Sequence, residues 1–259
     1  MSSAPAFLRR PALTLEAPAR SELTFATWNI HGCHPGAPFD AAAVADVIAR
    51  TGAGVVALQE AGAMYGGVDQ AVSVARLLGM HAIAGPNVTR LGGRWTCGNA
   101  LLTSLPVIES VNHDLSVEGA ERRGCLVARL ALPGGGELLA ASAHLGLRHG
   151  ERTRQARRLA EIFEPEDAPL LLGADGNDWF PGRDTRALRE SLVDAWSAAG
   201  IGTGATYPAA LPLLRIDHVY VRGAAVERCE TAQSGSASDH RPVVARVSMG
   251  GTTMGHRQE

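Results

Sequence analysis

The stretch Ser238-Asp239-His240-Arg241-Pro242-Val243 sets a carboxylate and an imidazole side by side, directly before an apolar run that indicates a strand. Neighbouring residues on a regular strand point to opposite faces of the sheet. Asp239 and His240 therefore reach one site only if they lie in the loop before the strand. The small, polar run Gly235-Ser236-Ala237-Ser238 is typical of such a loop. We predict that the rest of the chain supplies partners for this pair.

Length and composition indicate one globular domain. The chain has 259 residues, of which 46% are hydrophobic and 19% are charged, and no Pro/Gly/Ser-rich linker or internal repeat divides it. We assign residues 23–249 to a single domain and predict a flexible N-terminal segment over 1–22 and a disordered tail over 250–259. The formal net charge of −2 predicts no strong overall field that would collect polyanions.

The basic residues are all arginine. The sequence contains 24 of them and no lysine. This composition excludes a Schiff-base lysine, the lysine of a Walker motif and a lysine general base.

The cysteines show no metal-binding or disulfide pattern. Cys33, Cys97, Cys125 and Cys229 lie far apart and form no CxxC pair, so we expect reduced cysteines in or near the core. No apolar run approaches membrane-spanning length, and residues 1–20 lack the apolar segment of a signal peptide. The expectation is a cytoplasmic monomer without stable membrane insertion.

Hydrophobic periodicity predicts alternating strands and helices, a strand-rich middle and mixed closing elements. Helices are expected over 39–50, 68–78, 148–163 and 186–198. Strands are expected over 23–30, 55–58, 81–84, 100–103, 107–113, 123–132, 137–143, 170–173, 216–221, 226–231 and 243–247. This pattern fits two sheets packed face to face with helices outside, and it fits a single open sheet equally well.

Six predicted strand ends carry polar side chains. A hydrophobic strand that runs into a carboxylate, as Leu58-Gln59-Glu60 and Leu172-Gly173-Ala174-Asp175 do, places charge near low dielectric unless a cation or hydrogen bonds compensate. This repetition favours a metal site, and carboxylate and amide oxygens suit Mg²⁺ or Mn²⁺. The six ends lie at Asn29, Glu60, His144, Asp175 with Asn177, Asp217 with His218, and Asp239 with His240.

Structural interpretations compete with this hypothesis at single positions. Asn29 could cap a strand end, and Asp175 and Asn177 could form an Asx turn. His144 could be a core histidine whose ring is hydrogen-bonded. The metal-site hypothesis therefore depends on these residues meeting in space.

The histidines would supply proton chemistry beside such a metal. His144 and His240 can each act as an acid, a base or a phosphate donor, because histidine gains and loses a proton near neutral pH. Asp217 is a natural partner to orient one of them, as the carboxylate of a catalytic triad does.

Seven short motifs follow one another in the chain at plausible spacing. They are Thr27-Trp28-Asn29-Ile30, Leu58-Gln59-Glu60, Gly98-Asn99-Ala100-Leu101-Leu102-Thr103-Ser104, Ala143-His144-Leu145, Asp175-Gly176-Asn177, Arg215-Ile216-Asp217-His218-Val219 and Ser238-Asp239-His240-Arg241-Pro242-Val243. With them the chain, from Phe25 to Val247, resembles the Mg²⁺-dependent endonuclease/exonuclease/phosphatase family, which has the DNase I-like fold. The resemblance implies a four-layer α/β/β/α sandwich. It also implies a metal-dependent phosphoester hydrolase, with a phosphodiesterase or nuclease as the favoured activity.

The resemblance implies a metal site for Mg²⁺ or Mn²⁺. Glu60 is then the principal ligand, and Asn29 and Asp239 contribute to the same site. The metal would stabilise charge as a Lewis acid and orient the substrate.

The resemblance also implies catalytic roles. Asp175 and Asn177 would position the attacking water or the phosphate. His240, held by Asp217, would activate the nucleophile or stabilise the pentacovalent phosphorus. His144 would bind the phosphate or protonate the leaving oxygen. The motifs leave open whether Asp175 or His240 is the base.

Three residues are candidates for substrate binding: Asn99 in the third motif, Arg123 in a loop, and Arg148 at the start of an Arg-rich helix. The arginines of that helix could hold the phosphates of a nucleic acid. A solvated helix face balanced by nearby glutamates is the favoured alternative for them. The helix arginines are Arg148, Arg152, Arg154, Arg157 and Arg158.

Departures from the family pattern bear on the substrate. Gly176 stands where the family often has Phe, and Arg215 precedes Ile216 where inositol-polyphosphate phosphatases usually have a Cys-Asp-Arg motif. Abasic-site endonucleases usually carry Asp and Tyr where this chain has His31 and His144. The resemblance is therefore stronger to the DNase I, sphingomyelinase and phosphatase members.

Three alternative functions remain at this point. A lipid or small-molecule phosphoesterase of the same fold is one. The lipid enzyme would need an apolar loop that enters the membrane, for which Ala209-Ala210-Leu211-Pro212-Leu213-Leu214 is a short candidate. A catalytically inactive phosphate-binding module would keep the fold without turnover. A metal-free hydrolase would use Cys or Ser as the nucleophile.

Overall fold

The computed structural model describes residues 21–33, 39–64, 66–180 and 182–250. The helices are α1 Ala41–Thr51, α2 Gln70–Leu78, α3 His149–Phe163, α4 Arg186–Ser191 and α5 Ala195–Ala199. The strands are β1 Ser21–Asn29, β2 Val55–Ala61, β3 His81–Arg90, β4 Trp95–Thr103, β5 Val107–Asp114, β6 Gly124–Ala131, β7 Glu137–His144, β8 Leu170–Asp175, β9 Val193–Asp194, β10 Asp217–Arg222, β11 Ala225–Thr231 and β12 Val243–Met249.

The segments predicted to be flexible lie almost entirely outside the described residues. Residues 1–20 and 251–259 are not described, whereas Ser21 and Glu22 already belong to β1. Within the described ranges, no helix combines the length and the apolar character needed to cross a membrane.

The strands form two mixed six-stranded sheets. The first has the order β11-β12-β1-β2-β4-β3, and the second has the order β5-β6-β7-β8-β10-β9. Each sheet contains one parallel pair, β1 with β2 and β7 with β8, and its other neighbours are antiparallel. Because parallel strands end at the same edge, the parallel pairs bring the predicted functional residues together.

The two sheets pack face to face, and the alternation along β1 shows how. Phe25 belongs to the core between the sheets, whereas Ala26 and Trp28 face the opposite side, toward α1 and α2. The sheets approach so closely that a Cβ added at Gly173 would lie 2.6 Å from the Cβ atoms of Thr27 and Ala57. Only glycine fits this contact.

Helices cover both outer faces. Val44, Val47 and Ile48 of α1 pack with the outer face of the first sheet, and Leu159 and Phe163 of α3 pack with that of the second. The structure thus confirms the four-layer α/β/β/α sandwich and excludes the single open sheet.

A polar layer ties the sheets together beneath the strand ends. Gln59 Nε2 donates to Thr27 Oγ1 and to Ser142 Oγ, both at 3.1 Å, and Ser142 Oγ donates to the Leu58 carbonyl at 2.8 Å. These groups are buried, and buried polar groups that are fully paired favour one arrangement of the core. The layer therefore fixes the relative position of the two sheets below the site.

The prediction of one continuous helix over 186–198 is wrong. The chain forms α4, then the short strand β9, then α5, because β9 pairs with β10 through Asp194 and Tyr220. The Asp194 carboxylate also accepts a hydrogen bond from the Ser197 N–H at 3.1 Å and so caps α5. Tertiary pairing and this cap override the helical propensity of the segment.

Asp194 is the centre of a buried ion network. Its carboxylate lies 2.9 Å from Arg215 Nη1, 3.5 Å from Arg189 Nη2 and 3.3 Å from His218 Nδ1. Burial alone would raise the pKa of Asp194, but the hydrogen bond and charge of His218 and the charge of Arg215 hold the pKa well below its usual range. The ionised carboxylate therefore stabilises the fold.

Replacement of Asp194 with Asn is expected to lower the free energy of unfolding by up to about 3 kcal/mol, because it leaves two partly buried arginines without their charged partner. Urea unfolding measures this change. Since the folded pKa is depressed, the stabilisation is present above the unfolded pKa of about 4 and is lost as the pH falls below it. The wild-type chain should therefore lose stability in acid more steeply than the variant.

The exposed pair of Arg186 and Glu190 provides the control. Glu190→Gln is expected to change the free energy of unfolding by less than about 1 kcal/mol. Equal effects of the Asp194 and Glu190 substitutions would contradict the importance of the buried network.

The prediction of four reduced cysteines is wrong for one pair. Cys33 and Cys97 form a disulfide with a Cα–Cα distance of 5.6 Å across 64 residues of sequence. Sequence spacing gave no signal, because the fold itself brings the loop after β1 to β4. The other two cysteines, Cys125 and Cys229, are free and buried, as predicted.

Candidate active site

The predicted functional residues meet at one edge of the sandwich. In the first sheet, β1 ends there at Asn29, and Glu60 is the last residue but one of β2. In the second sheet, Asp175 pairs with His144 on one side and with Asp217 on the other. The loop before β12 adds Asp239 and His240. The cluster therefore draws on both sheets. It joins residues that are more than 200 positions apart in sequence.

A backbone irregularity turns Glu60 into the site. The pairing of β2 with β4 shifts register between Leu58 and Ala61, and Glu60 has a left-handed φ of 52°. A bulge of this kind redirects side chains next to active sites. Two further residues at this edge, His31 and Asn177, have φ values of 49° and 47°. Such strained backbone is concentrated at functional sites.

Asn29 links the carboxylates of the two sheets. Its Nδ2 donates to Glu60 Oε1 at 3.1 Å and to Asp175 Oδ2 at 2.9 Å, while its Oδ1 accepts the His31 N–H at 2.9 Å. The Ser238 hydroxyl donates to the Asn29 carbonyl at 2.6 Å. The amide thereby positions both acidic side chains, and Oδ1 keeps one lone pair for a further partner.

Asp217 holds His240. The distance from His240 Nδ1 to Asp217 Oδ2 is 2.8 Å, and Trp28 Nε1 donates to the His240 carbonyl at 2.9 Å. Burial alone would lower the pKa of His240, but the charge and hydrogen bond of Asp217, with the charge of Asp175, raise it to about 10. The imidazole is therefore charged at neutral pH, with Nε2 facing the site.

Asp175 lies at the centre of the cluster. Its Oδ2 is 3.5 Å from His144 Nε2 and 4.0 Å from His240 Nε2, and its Oδ1 accepts the Asn177 N–H at 3.1 Å. Burial, followed by the charge of Asp217, raises the pKa of Asp175 to about 7. The N–H contact is the Asx turn that competed with a functional role for Asp175 and Asn177, and it leaves Asp175 Oδ2 directed at the two histidines.

His144 and Asn177 form a pair beside Asp175. Asn177 Nδ2 lies 3.0 Å from His144 Nε2 and donates to the Leu145 carbonyl at 3.1 Å. Burial, followed by the charges of Arg123 and His240, keeps the pKa of His144 well below its ordinary value. His144 is thus a neutral imidazole at the site.

Two of the three predicted substrate-binding residues reach this cluster. Asn99 and Arg123 line a small hollow with His144. Among the residues that the structure describes, Asn99 Oδ1 and Arg123 Nε are buried without a hydrogen-bond partner. Arg148 is exposed at the start of α3, and its side chain makes no hydrogen bond or ion pair with the described part of the site.

The Arg-rich helix is not uniformly solvated. Arg152 is buried, donates to the Leu147 carbonyl at 2.6 Å and forms an ion pair with Asp184 at 2.6 Å. Glu151 is buried as well. The favoured prediction of a solvated face is therefore wrong for Arg152, which packs inward, and it holds for the exposed Arg154, Arg157 and Arg158.

Glu60 and Asp239 provide a candidate metal site. Glu60 Oε2 and Asp239 Oδ1 converge on His31 Nδ1, at 3.6 Å and 3.5 Å. Asp239 Oδ1 is a buried oxygen without a hydrogen-bond partner within the described ranges. Two carboxylates that contact one imidazole, one of them with an oxygen that accepts no hydrogen bond, fit a hard divalent cation. The residues present therefore fit Mg²⁺ or Mn²⁺.

A second group of metal-ligating atoms fits a cation less well. Asp175, Asp217 and His240 place three such atoms within 4.8 Å of one another, but all three residues are buried and His240 is already bound to Asp217. We interpret this group as an Asp–His pair beside a carboxylate.

The sequence predicts no role for three residues at this edge. His31 stands two residues after Asn29, and this position is the signal that could have identified it. Tyr207, whose ring centroid lies 5.0 Å from that of His240, and Ser238, which supports Asn29, had no functional signal of their own.

Comparisons with known proteins identify the family of the chain. The model of a family described as "Endonuclease/Exonuclease/phosphatase family" matches residues 26–240. The uncharacterized protein YbhP of Escherichia coli strain K12 is 33% identical over 157 residues, which are 58% of this chain and 62% of YbhP. The match thus spans less than two thirds of that relative.

Solved structures share the fold. An endonuclease/exonuclease/phosphatase from Beutenbergia cavernae has 24% identity and a TM-score of 0.72, over 89% of this chain and 72% of that one. The mannosyl-6-phosphatase Bt3783 of Bacteroides thetaiotaomicron has 18% identity and a TM-score of 0.69, over 87% of this chain and 99% of that one. At these identities the likeness establishes the fold alone.

Proposed function

Because the chain belongs to the endonuclease/exonuclease/phosphatase family, whose members hydrolyse phosphoester bonds, we propose that it is a divalent-metal-dependent phosphodiesterase. One observation carries the proposal. The Asn29 amide joins Glu60 at 3.1 Å and Asp175 at 2.9 Å, so a candidate metal ligand and a buried carboxylate lie on either side of one side chain. The paired His240 and Asp217 lie beside them.

Glu60 and Asp239 would hold the cation, and Asn29 would orient Glu60 or offer its Oδ1 as a further ligand. The cation would supply Lewis-acid stabilisation of the phosphate and orient substrate and water. The acidic character of the site agrees with this role. The charges of Asp217, Asp175 and Asp239 all act on His240, and Glu60 adds a fourth carboxylate at the same edge.

We assign proton abstraction from the attacking water to Asp175. Its Oδ2 is surrounded by Asn29 Nδ2, His144 Nε2 and His240 Nε2 at 2.9, 3.5 and 4.0 Å, where a water and a phosphate oxygen would meet. His240 is engaged through Nδ1 with Asp217. A charged His240 Nε2–H would stabilise the negative charge that develops on the phosphate oxygens.

The phosphate would be bound by four side chains, those of Asn99, Arg123, His144 and Asn177. Neutral His144 and the Asn177 amide offer polar atoms 3.0 Å apart, and the Arg123 guanidinium lines the same hollow as His144. Binding through preplaced donors suits a group whose charge grows in the transition state.

A lipid or small-molecule phosphoesterase is the second candidate, and exposed apolar side chains favour it. Leu147, Trp179 and Phe180 follow β7 and β8 and are 70%, 59% and 73% exposed. Leu211 and Leu213, in the loop before β10, are 67% and 72% exposed. The loops leave the sheet at the edge that carries the site, so an apolar leaving group could contact them.

Metal removal tests the proposed function. Hydrolysis of bis(p-nitrophenyl) phosphate is expected to fall to the buffer blank in EDTA and to return with Mg²⁺ or Mn²⁺, because the carboxylates need the cation to hold an anionic substrate. Supercoiled plasmid, p-nitrophenyl phosphate and sphingomyelin vesicles in parallel assign the substrate class. Nicking would indicate a nuclease, and vesicle hydrolysis would favour the lipid candidate.

The competing functions give opposite results. Activity that survives EDTA and is lost on cysteine alkylation would identify the metal-free hydrolase. A chain that binds phosphate but turns over none of the four substrates would support the inactive binding module. Either result would contradict the proposal.

Location and assembly stay predictions. Disulfides persist in oxidising compartments and are rare in the cytoplasm of mesophiles. If the predicted cytoplasmic location is right, Cys33 and Cys97 should be reduced in the cell. The predicted partner is a phosphoester substrate, which could be a nucleic acid. The chain is predicted to act as a monomer.

A further inference from the structure

We propose that the edge of the sandwich that carries the candidate active site binds the surface of an anionic phospholipid membrane. The contact is made by an apolar rim, which we define as Leu147, Trp179, Phe180, Leu211 and Leu213. These side chains would enter the headgroup region of one leaflet without spanning the membrane. The inference goes beyond the proposed function, because binding to a surface requires no turnover.

The rim occupies three loops that meet at one edge of the second sheet. Leu147 follows β7, Trp179 and Phe180 follow β8, and Leu211 and Leu213 precede β10. The end of β8 pairs in register with the end of β7 and with the start of β10. The three loops are therefore neighbours around the strand ends that carry the site.

Exposed apolar side chains are concentrated in this rim. Among the residues that the structure describes, the four most exposed large apolar side chains are Leu147, Phe180, Leu211 and Leu213, at 67–73%, and Trp179 is 59% exposed. Single apolar residues scattered over a surface are ordinary, whereas a group of them indicates an interaction site. The grouping therefore indicates a partner at this edge.

A buried ion pair holds two of the loops in place. Arg152 of α3 donates to the Leu147 carbonyl at 2.6 Å and forms an ion pair with Asp184 at 2.6 Å. The Asp178 carboxylate accepts the Phe180 N–H at 3.3 Å and the Asp184 N–H at 3.2 Å. These bonds fix the backbone that carries the exposed side chains, as a preformed binding surface requires.

The third loop is fastened to the loop before β12. The Ala209 N–H donates to the Asp239 carbonyl at 2.7 Å, and Arg241 Nε donates to the Ala209 carbonyl at 2.8 Å. Leu211 and Leu213 lie in the turn that follows. The leucines are therefore held beside the candidate active site, on the side of Asp239.

Charge indicates which surface the rim fits. Arg148 and Arg183 are exposed in the same loops, and neither guanidinium forms an ion pair with a described residue. The acidic residues of the three loops, Asp178 and Asp184, are buried. Amphipathic aromatic rings such as that of Trp179 favour the headgroup level of a bilayer, and basic residues near the surface favour anionic lipids. The loops therefore fit an anionic phospholipid surface.

Vesicle flotation of the full chain in EDTA tests the proposal, because EDTA prevents metal-dependent turnover and metal bridges to lipid phosphates. The chain is expected to float with phosphatidylglycerol vesicles and to bind pure phosphatidylcholine vesicles more weakly. The double variant Phe180→Ser/Leu213→Ser should bind about tenfold or more weakly, because it removes apolar area that binding would bury. Arg148→Gln and Arg183→Gln should each weaken binding about fivefold at low salt.

Leu77→Ser is the matched control. Leu77 is 59% exposed, as Trp179 is, and it lies near the end of α2. The strand that follows, β3, starts in register with the start of β2, at the opposite edge of the sheet. This variant should float like the wild-type chain.

The fluorescence of Trp179 reports the contact directly. Trp28 and Trp95 are buried, whereas Trp179 is exposed to water. Emission should shift to shorter wavelength when phosphatidylglycerol vesicles are added. The shift should be lost in Trp179→Phe, which keeps an aromatic ring and should still float.

Four results would overturn the inference. They are a wild-type chain that does not float, equal binding to both kinds of vesicle, equal binding by the double variant and Leu77→Ser, and flotation without a shift in Trp179 emission. Sedimentation of the wild-type chain as a dimer that the double variant dissociates would also overturn it, by assigning the rim to a second copy. An active chain that does not float would leave the proposed function standing, and a chain that floats without hydrolysing phosphodiesters would contradict that function alone.

Discussion

Replacement of Glu60 with glutamine is expected to lower kcat/KM for a phosphodiester by about 10³-fold or more, because the site would lose a charged metal ligand worth several kcal/mol of transition-state stabilisation. The bulge and the left-handed φ of 52° aim this side chain at the site. The amide of glutamine keeps its size and can still contact Asn29. Steady-state kinetics with saturating Mn²⁺, combined with metal-binding calorimetry, measures both consequences.

Glu22→Gln is the matched control for this substitution. Glu22 is exposed and lies near the start of β1, the strand that ends at Asn29 in the site. Its replacement should leave kcat/KM and metal affinity unchanged. An unchanged metal affinity in Glu60→Gln would contradict the role of Glu60 as a ligand, even if the rate fell.

The second large effect is expected at the pair of His240 and Asp217. Each of the variants His240→Gln and Asp217→Asn should lower kcat by about 10²–10³-fold, because Asp217 holds the ring whose Nε2–H is assigned to the phosphate oxygens. The 2.8 Å contact makes the two residues one unit. The double variant should therefore be little slower than the slower single variant.

A double-mutant cycle checks this prediction. Thermal unfolding of each variant shows whether the fold is retained, since both side chains are buried. Multiplicative losses in the double variant, with the fold intact, would show that Asp217 and His240 act independently and would contradict the assigned pair.

Much of the fold was predictable from the sequence because local hydrophobic patterns indicate most of the strands. The run from Val55 to Leu58 is apolar without interruption and is buried on both faces, and Phe25 and Trp28 alternate between faces as a period of two requires. Periodicity could not distinguish a sandwich from an open sheet. That choice depends on contacts between distant strands, such as Gly173 with Thr27 and Ala57.

The clustering of polar residues at the strand ends was predictable for a related reason. Polar residues directly after apolar strands, such as Asn29, Glu60 and Asp175, must lie at a sheet edge, and the fold brings those edges together. The roles assigned to these residues remain predictions. Their mutual distances needed the structure, because Asn29 reaches Asp175 across 146 residues of sequence.

Three features could not be predicted from the sequence, each for a physical reason. The disulfide joins Cys33, in the loop after β1, to Cys97 in β4, and these two segments become neighbours only in the folded chain. The segment over 186–198 has helical propensity, but the pairing of Asp194 with Tyr220 interrupts it. Arg152 belongs to an amphipathic helix, yet the buried Asp184 turns it inward.

The most direct test of the account is a metal add-back titration on one preparation. The chain stripped with EDTA should hydrolyse bis(p-nitrophenyl) phosphate no faster than the buffer blank. With added Mn²⁺ the rate should rise and reach half its maximum at the concentration that half-saturates binding in calorimetry. Hydrolysis by the stripped chain at the full rate, or a rate that does not follow metal occupancy, would contradict a metal-dependent phosphodiesterase.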